Sequence, residues 1–244
     1  MARRQDRRAR TSEVSTMIKI HADMIQGSDE WRDARCGLLT ASEMHLIITP
    51  TLKVASNEKE RGHLYELLAQ RITKYVEPSY VSSEMLRGEV DENEALALYS
   101  QNIAPLKAVG FMTNDKWGFT IGYSPDAIVG DDGLVEVKSR RQKYQVETFV
   151  KHVSDGTIPP DFLMQIQTGL LVSERKWCDL ISYCGGMPMA VIRIYPDKEV
   201  QAAIVSAAEA FESRLVTAHL VYQDAIAKTK PLATERRVEQ EMYL

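Results

Sequence analysis

Cysteine, long apolar runs and an excess of positive charge are what this sequence has little of. Its 244 residues include three cysteines, Cys36, Cys178 and Cys184, at spacings that suit neither a structural zinc site nor a four-cysteine iron–sulphur cluster. So few scattered thiols fit a reducing compartment, and the cytoplasm is the simplest expectation. No apolar stretch approaches the ~20 residues of a membrane-spanning helix, and the chain does not open on a charged-then-apolar leader, so no membrane partner is expected. A formal net charge of −4 argues against a protein that coats nucleic acid by charge alone. It leaves room for one that meets nucleic acid in a single cleft with local basic groups. Aromatics are sparse at 7%, no internal repeat is visible, and 44% hydrophobic with 26% charged residues is ordinary globular usage for one domain of this size.

What is present is organised in three parts. Residues 1–16 carry five arginines in the first ten positions (Arg3, Arg4, Arg7, Arg8, Arg10) against Asp6, and are expected to be a disordered basic tail. Residues 17–227 read as one domain, and 228–244 as a loose polar tail. Within the domain, Ser28 caps a short helix bearing Trp31 and Arg35, and Thr40–Ala41–Ser42–Glu43 gives a second capping signal ahead of Met44, Leu46 and Ile47. Helices are predicted over Arg61–Tyr75, with a break marked by Pro78, and over Glu84–Gln101. From Gly118 the texture turns to short β-rich runs, Phe119–Tyr123, Ala127–Val129 and Leu134–Lys138, with Gly130–Asp131–Asp132–Gly133 as a hairpin turn. A helix follows from Pro159–Pro160 through Val172, then strands Trp177–Tyr183 and Met189–Tyr195, then a long helix from Pro196–Asp197 to about Ile226. The pattern predicts an α/β (α+β) fold with a small mixed central β-sheet flanked by helices.

Chemistry concentrates in Ser124–Pro125–Asp126 and Leu134–Val135–Glu136–Val137–Lys138. Alternate residues of a strand share a face, so Glu136 and Lys138 point one way while Val135 and Val137 point into the other layer. Closing the hairpin sets Asp126 opposite Val137, within one residue of register, and opposed residues lie ~5 Å apart. Two carboxylates, an amine and the Val137 carbonyl thus converge. Such a set suits Mg²⁺, a hard cation that takes oxygen ligands and keeps waters and substrate phosphates in its shell. Lys138 could orient a water, or take its proton if burial and the metal lower its pKa. The competing reading is a solvated hairpin face with exposed ion pairs worth ~0–1 kcal/mol. Glu92 shares a helix face with Gly88, Ala95, Leu96 and Tyr99, where a carboxylate needs a partner; the alternative is an acidic solvent face with Glu89, Asp91 and Glu94. Gln165 and Gln167 interrupt an apolar helix, and on spacing alone each is more often a satisfied core amide than a DNA contact. The run Lys138–Ser139–Arg140–Arg141–Gln142–Lys143 is ordinary solvated surface unless a metal site adjoins it, in which case Arg140, Arg141 and Lys143 make a phosphate track.

Together these pieces resemble the PD-(D/E)-x-K nucleases, and more closely the phage lambda exonuclease family of viral recombinases, over about Gly27 to Lys198. The resemblance rests on five segments in the family's order. They are Trp31 and Arg35 with Gly37–Leu38–Leu39–Thr40–Ala41–Ser42–Glu43; Gly88–Glu89–Val90–Asp91–Glu92–Asn93–Glu94–Ala95; Ser124–Pro125–Asp126; Val135–Glu136–Val137–Lys138; and Met164–Gln165–Ile166–Gln167. It implies a restriction-endonuclease-like core for the nuclease domain. Asp126, Glu136 and the Val137 carbonyl would hold two Mg²⁺ ions, with Mn²⁺ as a substitute, Glu92 close by, Lys138 beside the attacking water and Gln165 in the site. Arg35 and Ser42, with Trp31, would receive a 5′-terminal phosphate, and Met85 or Leu86 would splay the duplex end. It further implies a phage- or prophage-encoded homotrimer that degrades linear double-stranded DNA 5′→3′ and leaves 3′ overhangs for a single-strand annealing protein. Segment Pro50–Lys59 departs from the family pattern, which reduces the basic contacts expected there to Lys53. The competing functions are a related endonuclease, an exonuclease of other polarity, and a non-catalytic DNA-binding protein. A terminal-phosphate pocket disfavours an endonuclease, and the intact Asp126, Glu136 and Lys138 disfavour the non-catalytic reading.

Overall fold

The computed structural model describes residues 18–78 and 82–236; the arginine-rich start and the last eight residues lie outside them. Among the described residues eight strands and seven α-helices alternate irregularly. The strands form two four-stranded sheets rather than the single central sheet expected. One has the order β1 (Lys19–His21), β3 (Phe111–Asn114), β4 (Ile121–Tyr123), β2 (Leu39–Thr40); the other runs β5 (Ala127–Val129), β6 (Gly133–Ser139), β7 (Trp177–Tyr183), β8 (Ala190–Ile194). Both are mixed, since β2 lies parallel to β4 and β6 parallel to β7 while the other neighbours are antiparallel. The chain leaves the first sheet at Tyr123 and enters the second at Ala127, so Ser124–Pro125–Asp126 is the connection between them.

The first helix, α1 (Asp29–Arg35), starts where its cap predicts, with Ser28 Oγ accepting from the Trp31 amide at 3.2 Å. Thr40 does not act as the expected cap: its hydroxyl goes to the Glu43 carboxylate at 2.8 Å, and a short 3₁₀ turn leads into α2 (Met44–Ile47). Helix α3 (Glu58–Thr73) ends at left-handed Lys74, before Pro78 is reached. Helix α4 (Ser83–Asn102) is capped by Ser82, and α5 (Gln142–Thr148) forms where a solvated basic run was read. Helices α6 (Pro160–Ser173) and α7 (Lys198–Thr229) complete the set, and α7 carries two residues into the segment expected to be loose.

Strand β6 has two distinct sides. Val135 and Val137 pack with Ala95 and Tyr99 of α4 and with Ile181 and Tyr183 of β7. Leu134 faces the main core, which gathers Ile166 and Leu170 of α6, Leu39, Met44 and Ile47 near α2, and Ile204, Phe211 and Leu215 of α7. The alternation read in the sequence therefore separates two apolar clusters, and Glu136 and Lys138 sit on the α6 side. Gly133 joins the strand as the partner of Val129 instead of closing the turn, and a glycine is required there because a Cβ would strike the Trp177 ring. Extending the Ala127–Val135 pairing sets Asp126 opposite Glu136, within the one-residue range of register expected around Val137. Among the described residues no helix is long and apolar enough to cross a membrane.

Candidate active site

Strand β6, the connection before β5, helix α6 and strand β4 each deliver a side chain to one buried point. Glu136 is 1% exposed and both its oxygens are used. Oε1 accepts from Lys138 Nζ at 2.8 Å and from Gln165 Nε2, and Oε2 accepts from Tyr123 Oη at 3.0 Å. Gln165 closes the ring by accepting from Lys138 Nζ at 2.9 Å, so the α6 amide belongs to this cluster and not to the core. Asp126 accepts the Val137 N–H at 2.6 Å through Oδ2. The N–H and C=O of one strand residue leave toward the same neighbour, so the Val137 carbonyl also emerges on the Asp126 side, beyond the last β5–β6 pair. Tyr123 reaches Glu136 because Gly169 of α6 has no Cβ; one placed there would lie 2.6 Å from the tyrosine ring.

Negative charge outnumbers positive charge here. Burial and the neighbouring Glu136 and Glu92 carboxylates hold Asp126 well above the usual aspartate range. Burial and Glu136 likewise push Glu92 up, so α4 brings this residue within electrostatic reach of the pair rather than leaving it on a solvent face. Burial alone would lower Lys138, but Glu136 and Asp126 outweigh it and hold the amine above the ordinary lysine value. Without a metal beside it Lys138 stays charged; the expected loss of its proton needs burial and a metal together and belongs to the metal-bound site. Three acids against one ammonium favour an added cation. Among the described residues no three His, Cys, Asp or Glu side chains close into a metal cage. The donor set fits a hard dication held by few carboxylates, with waters and substrate phosphates filling its shell.

A second cluster lies at the other end of the Ser124–Asp126 connection. The Arg35 guanidinium stacks 4.2 Å from the Trp31 ring centroid and donates to Ser124 Oγ at 3.4 Å and Thr40 Oγ1 at 3.3 Å. Trp31 Nε1 donates to the same Ser124 oxygen at 2.9 Å. Burial lowers the Arg35 pKa, and the Glu43 carboxylate acts against that. Ser42 is exposed, and its hydroxyl touches Thr40 at 3.2 Å rather than Arg35. With long bonds to hydroxyls only, Arg35 keeps donors for an anion. Gln26 donates to the Pro125 carbonyl at 2.8 Å, which pins the connection between the two clusters.

The remaining candidates lie outside both clusters. Met85 and Leu86 are exposed in the first turns of α4. Arg141 pairs with Glu84, Arg140 lies between the Tyr144 and Phe162 rings, and Lys143 sits over Tyr144. Gln167 is a buried core amide, donating to the Tyr195 carbonyl and accepting from the Asp197 N–H. Lys53 is exposed and its backbone closes a turn with Thr49, away from any cluster the hydrogen bonds define. Tyr123, Ser124, Thr40 and Glu43 carry contacts that the sequence reading did not assign. Ser124 had the clearest signal, standing two residues before Asp126 in a polar break between two β runs.

Comparison with known proteins shows the family and the fold. A model of the YqaJ-like viral recombinase domain matches residues 30–176, more than half of the chain. A crystal structure of an alkaline exonuclease from Laribacter hongkongensis superposes with a TM-score of 0.71 at 28% identity, covering 82% of this chain and 99% of that one. The same enzyme in complex with dAMP gives 0.72 and 29% over the same shares. A phage-related exonuclease from Haemophilus somnus 129PT, 13% identical with a TM-score of 0.51 over 74% of this chain and 95% of that one, shares the fold. No curated protein matches. The chain belongs to the YqaJ-like viral recombinase family, with the restriction-endonuclease-like fold of lambda-type exonucleases that the sequence resemblance implied.

Proposed function

We propose that this YqaJ-like family member is a metal-dependent 5′→3′ exonuclease acting on linear double-stranded DNA. The observation that carries the reading is the juxtaposition of two clusters on one three-residue connection. Asp126 joins Glu136 and Lys138 at one end, and Ser124 joins Arg35 and Trp31 at the other. A terminal phosphate on Arg35 would set the adjoining phosphodiester beside the carboxylates, and charge-assisted guanidinium contacts favour the dianion of a phosphorylated end. Two Mg²⁺ ions, or Mn²⁺, would be held by Asp126, Glu136 and the Val137 carbonyl with Glu92 close by, and would supply Lewis-acid polarisation of the phosphoryl group and a counter-charge for the leaving oxygen. Gln165 fixes the Lys138 ammonium against Glu136. In that protonated state Lys138 orients the attacking water or the scissile phosphate by donating hydrogen bonds. Exposed Met85 and Leu86 suit a wedge at the duplex end.

The product would be a 3′ overhang for a single-strand annealing protein during phage or prophage recombination in the bacterial cytoplasm. A homotrimer enclosing its DNA product would keep a net acidic protein on its substrate by topology instead of charge. The test is a duplex labelled at either end, incubated with Mg²⁺, Mn²⁺ or EDTA, carrying 5′-phosphate or 5′-hydroxyl ends. Label should leave from the phosphorylated 5′ end, only with a divalent cation, and Arg35→Ala should erase the phosphate preference. Equal digestion of both ends by the wild type would sink the Arg35 pocket. Internal cuts in a closed circle would favour the endonuclease reading, and loss from the 3′ end an exonuclease of other polarity. A monomeric mass by light scattering would sink the trimer and leave the activity standing.

A further inference from the structure

A cavity of about 580 Å³ opens between the first turns of α4 and the β6–α5 junction, lined by Glu84 and Arg87 on one side and Arg140, Arg141, Lys143 and Tyr144 on the other. Four cations face one carboxylate there, in a chain whose net charge is −4. Arg141 pairs with Glu84, and Arg87 approaches Asp91 at 3.7 Å. Among the described residues no carboxylate stands at ion-pair distance from Arg140 or Lys143. The Arg140 guanidinium is 5.1 Å from the Tyr144 centroid and 5.0 Å from that of Phe162, and its Nε is buried without a hydrogen-bond partner. Lys143 Nζ lies 4.5 Å from the Tyr144 centroid. Aromatic faces hold a cation in place without consuming its donors, which leaves those donors for an anion from outside.

The cavity also adjoins the candidate active site. Phe162 is shared, because Lys138 Nζ sits 5.5 Å from the ring that Arg140 covers. A line of contacts therefore runs from Arg35 to Ser124, along the connection to Asp126, across to Val137 and Lys138, and on to Arg140. We propose that this cleft binds the single-stranded part of the strand being cut, taking the phosphates just downstream of the scissile bond. The inference rests on the exonuclease reading, which puts the terminal phosphate at Arg35 and the scissile bond at Asp126 and Glu136. Spaced cations suit a repeating polyanion, and Met85 and Leu86 beside Glu84 and Arg87 give the rim an apolar lip.

The test reads binding, by fluorescence anisotropy in Ca²⁺, of 5′-phosphorylated duplexes. A few consecutive linkages near the end are made neutral as methylphosphonates, either in the 5′-ending strand or in its complement. Neutral linkages in the 5′-ending strand should weaken wild-type binding about tenfold, and those in the complement should leave it within twofold, since only one strand enters the cleft. Arg140→Ala with Lys143→Ala should weaken binding of the unmodified duplex by a similar factor and lower the salt slope by about one per cation. The same variant should be indifferent to the neutral linkages. Lys143→Glu, on the exposed side of α5, repeats the measurement should Arg140 be needed for folding. A variant still sensitive to the linkages, or a wild type sensitive to those in the complement, would overturn the proposal. Binding of this pattern without Mg²⁺-dependent cleavage would sink the exonuclease activity and leave the cleft in place.

Discussion

Glu136 and Asp179 are buried carboxylates on neighbouring strands of one sheet, each 1% exposed, and they keep opposite company. Asp179 pairs in register with Val135 and so faces α4, whereas Glu136 pairs with Leu180 and faces α6. Asp179 accepts two bonds of 2.8 Å from Arg193 and one of 2.6 Å from the Tyr99 hydroxyl, while Arg193 stacks 3.7 Å from the Trp177 centroid. One acid meets one permanent cation and one phenol, and the charge closes. Glu136 shares a single ammonium with Asp126 and Glu92, and the charge does not close. A buried carboxylate is therefore no sign of chemistry by itself. The unbalanced one marks the site, because folding alone has no reason to gather three acids around one ammonium.

The comparison breaks most visibly in activity. Asp126→Asn or Glu136→Gln should lower Mg²⁺-dependent cleavage at least about a thousandfold, roughly 4 kcal/mol of transition-state stabilisation, with the native circular dichroism spectrum retained. Asp179→Asn should leave the rate per folded molecule unchanged, and a matching fall in rate would erase the distinction between the two acids.

Stability should show the reverse. Asp179→Asn strips Arg193 of its carboxylate and is expected to cost about 2–3 kcal/mol in urea unfolding, below the ~3–5 kcal/mol of a fully buried pair because Arg193 reaches water. A loss under about 1 kcal/mol would show that this pair is as dispensable as a surface bridge.

Asp126→Asn should stabilise the protein in EDTA by about 0.5–2 kcal/mol, the range seen when a strained functional residue is relaxed. The sign follows from the raised pKa. A carboxyl whose folded pKa lies above its unfolded value of about 3.9 opposes folding once ionised, and the penalty lifts as pH falls through the folded pKa. The advantage of the variant should therefore be largest at neutral pH and vanish on acidification. A destabilised variant at neutral pH would mean that Asp126 is already balanced.

The smallest effect expected is for Tyr99→Phe. It removes one donor from Asp179 and leaves both Arg193 bonds, at a cost of about 0.5–1 kcal/mol and no change in cleavage. A larger loss would make Tyr99, not Arg193, the principal partner.

Local pattern made much of this legible. Alternation from Leu134 to Lys138 placed Glu136 and Lys138 on one face, Gly130–Asp132 marked the hairpin, and Ser28 fixed the start of α1. Strand β3 escaped because all four residues of Phe111–Asn114 are buried, so the period-two signal is absent. Helix α5 escaped because its sequence opens on a polar, basic stretch and its packing rests on Gln145, whose amide donates to the Ser182 and Pro188 carbonyls. The one residue of register left open by the sequence was decided by Gly133, which looks like a turn residue and is a strand residue under Trp177.

The sequence by itself determined the chemistry available: which strand carries acid and base on one side, and which arginine-bearing helix precedes it. Such information is local, since it follows from covalent spacing and the period of a strand or helix. Tertiary structure decided what those groups are worth. Lys138 is kept charged by carboxylates from two segments, Gln165 leaves the core to bridge them, Ser124 ties the Arg35 pocket to Asp126, and Asp179 is silenced by Arg193 across a strand pair. Burial and charge balance depend on groups far apart in the chain, and no window of sequence contains them.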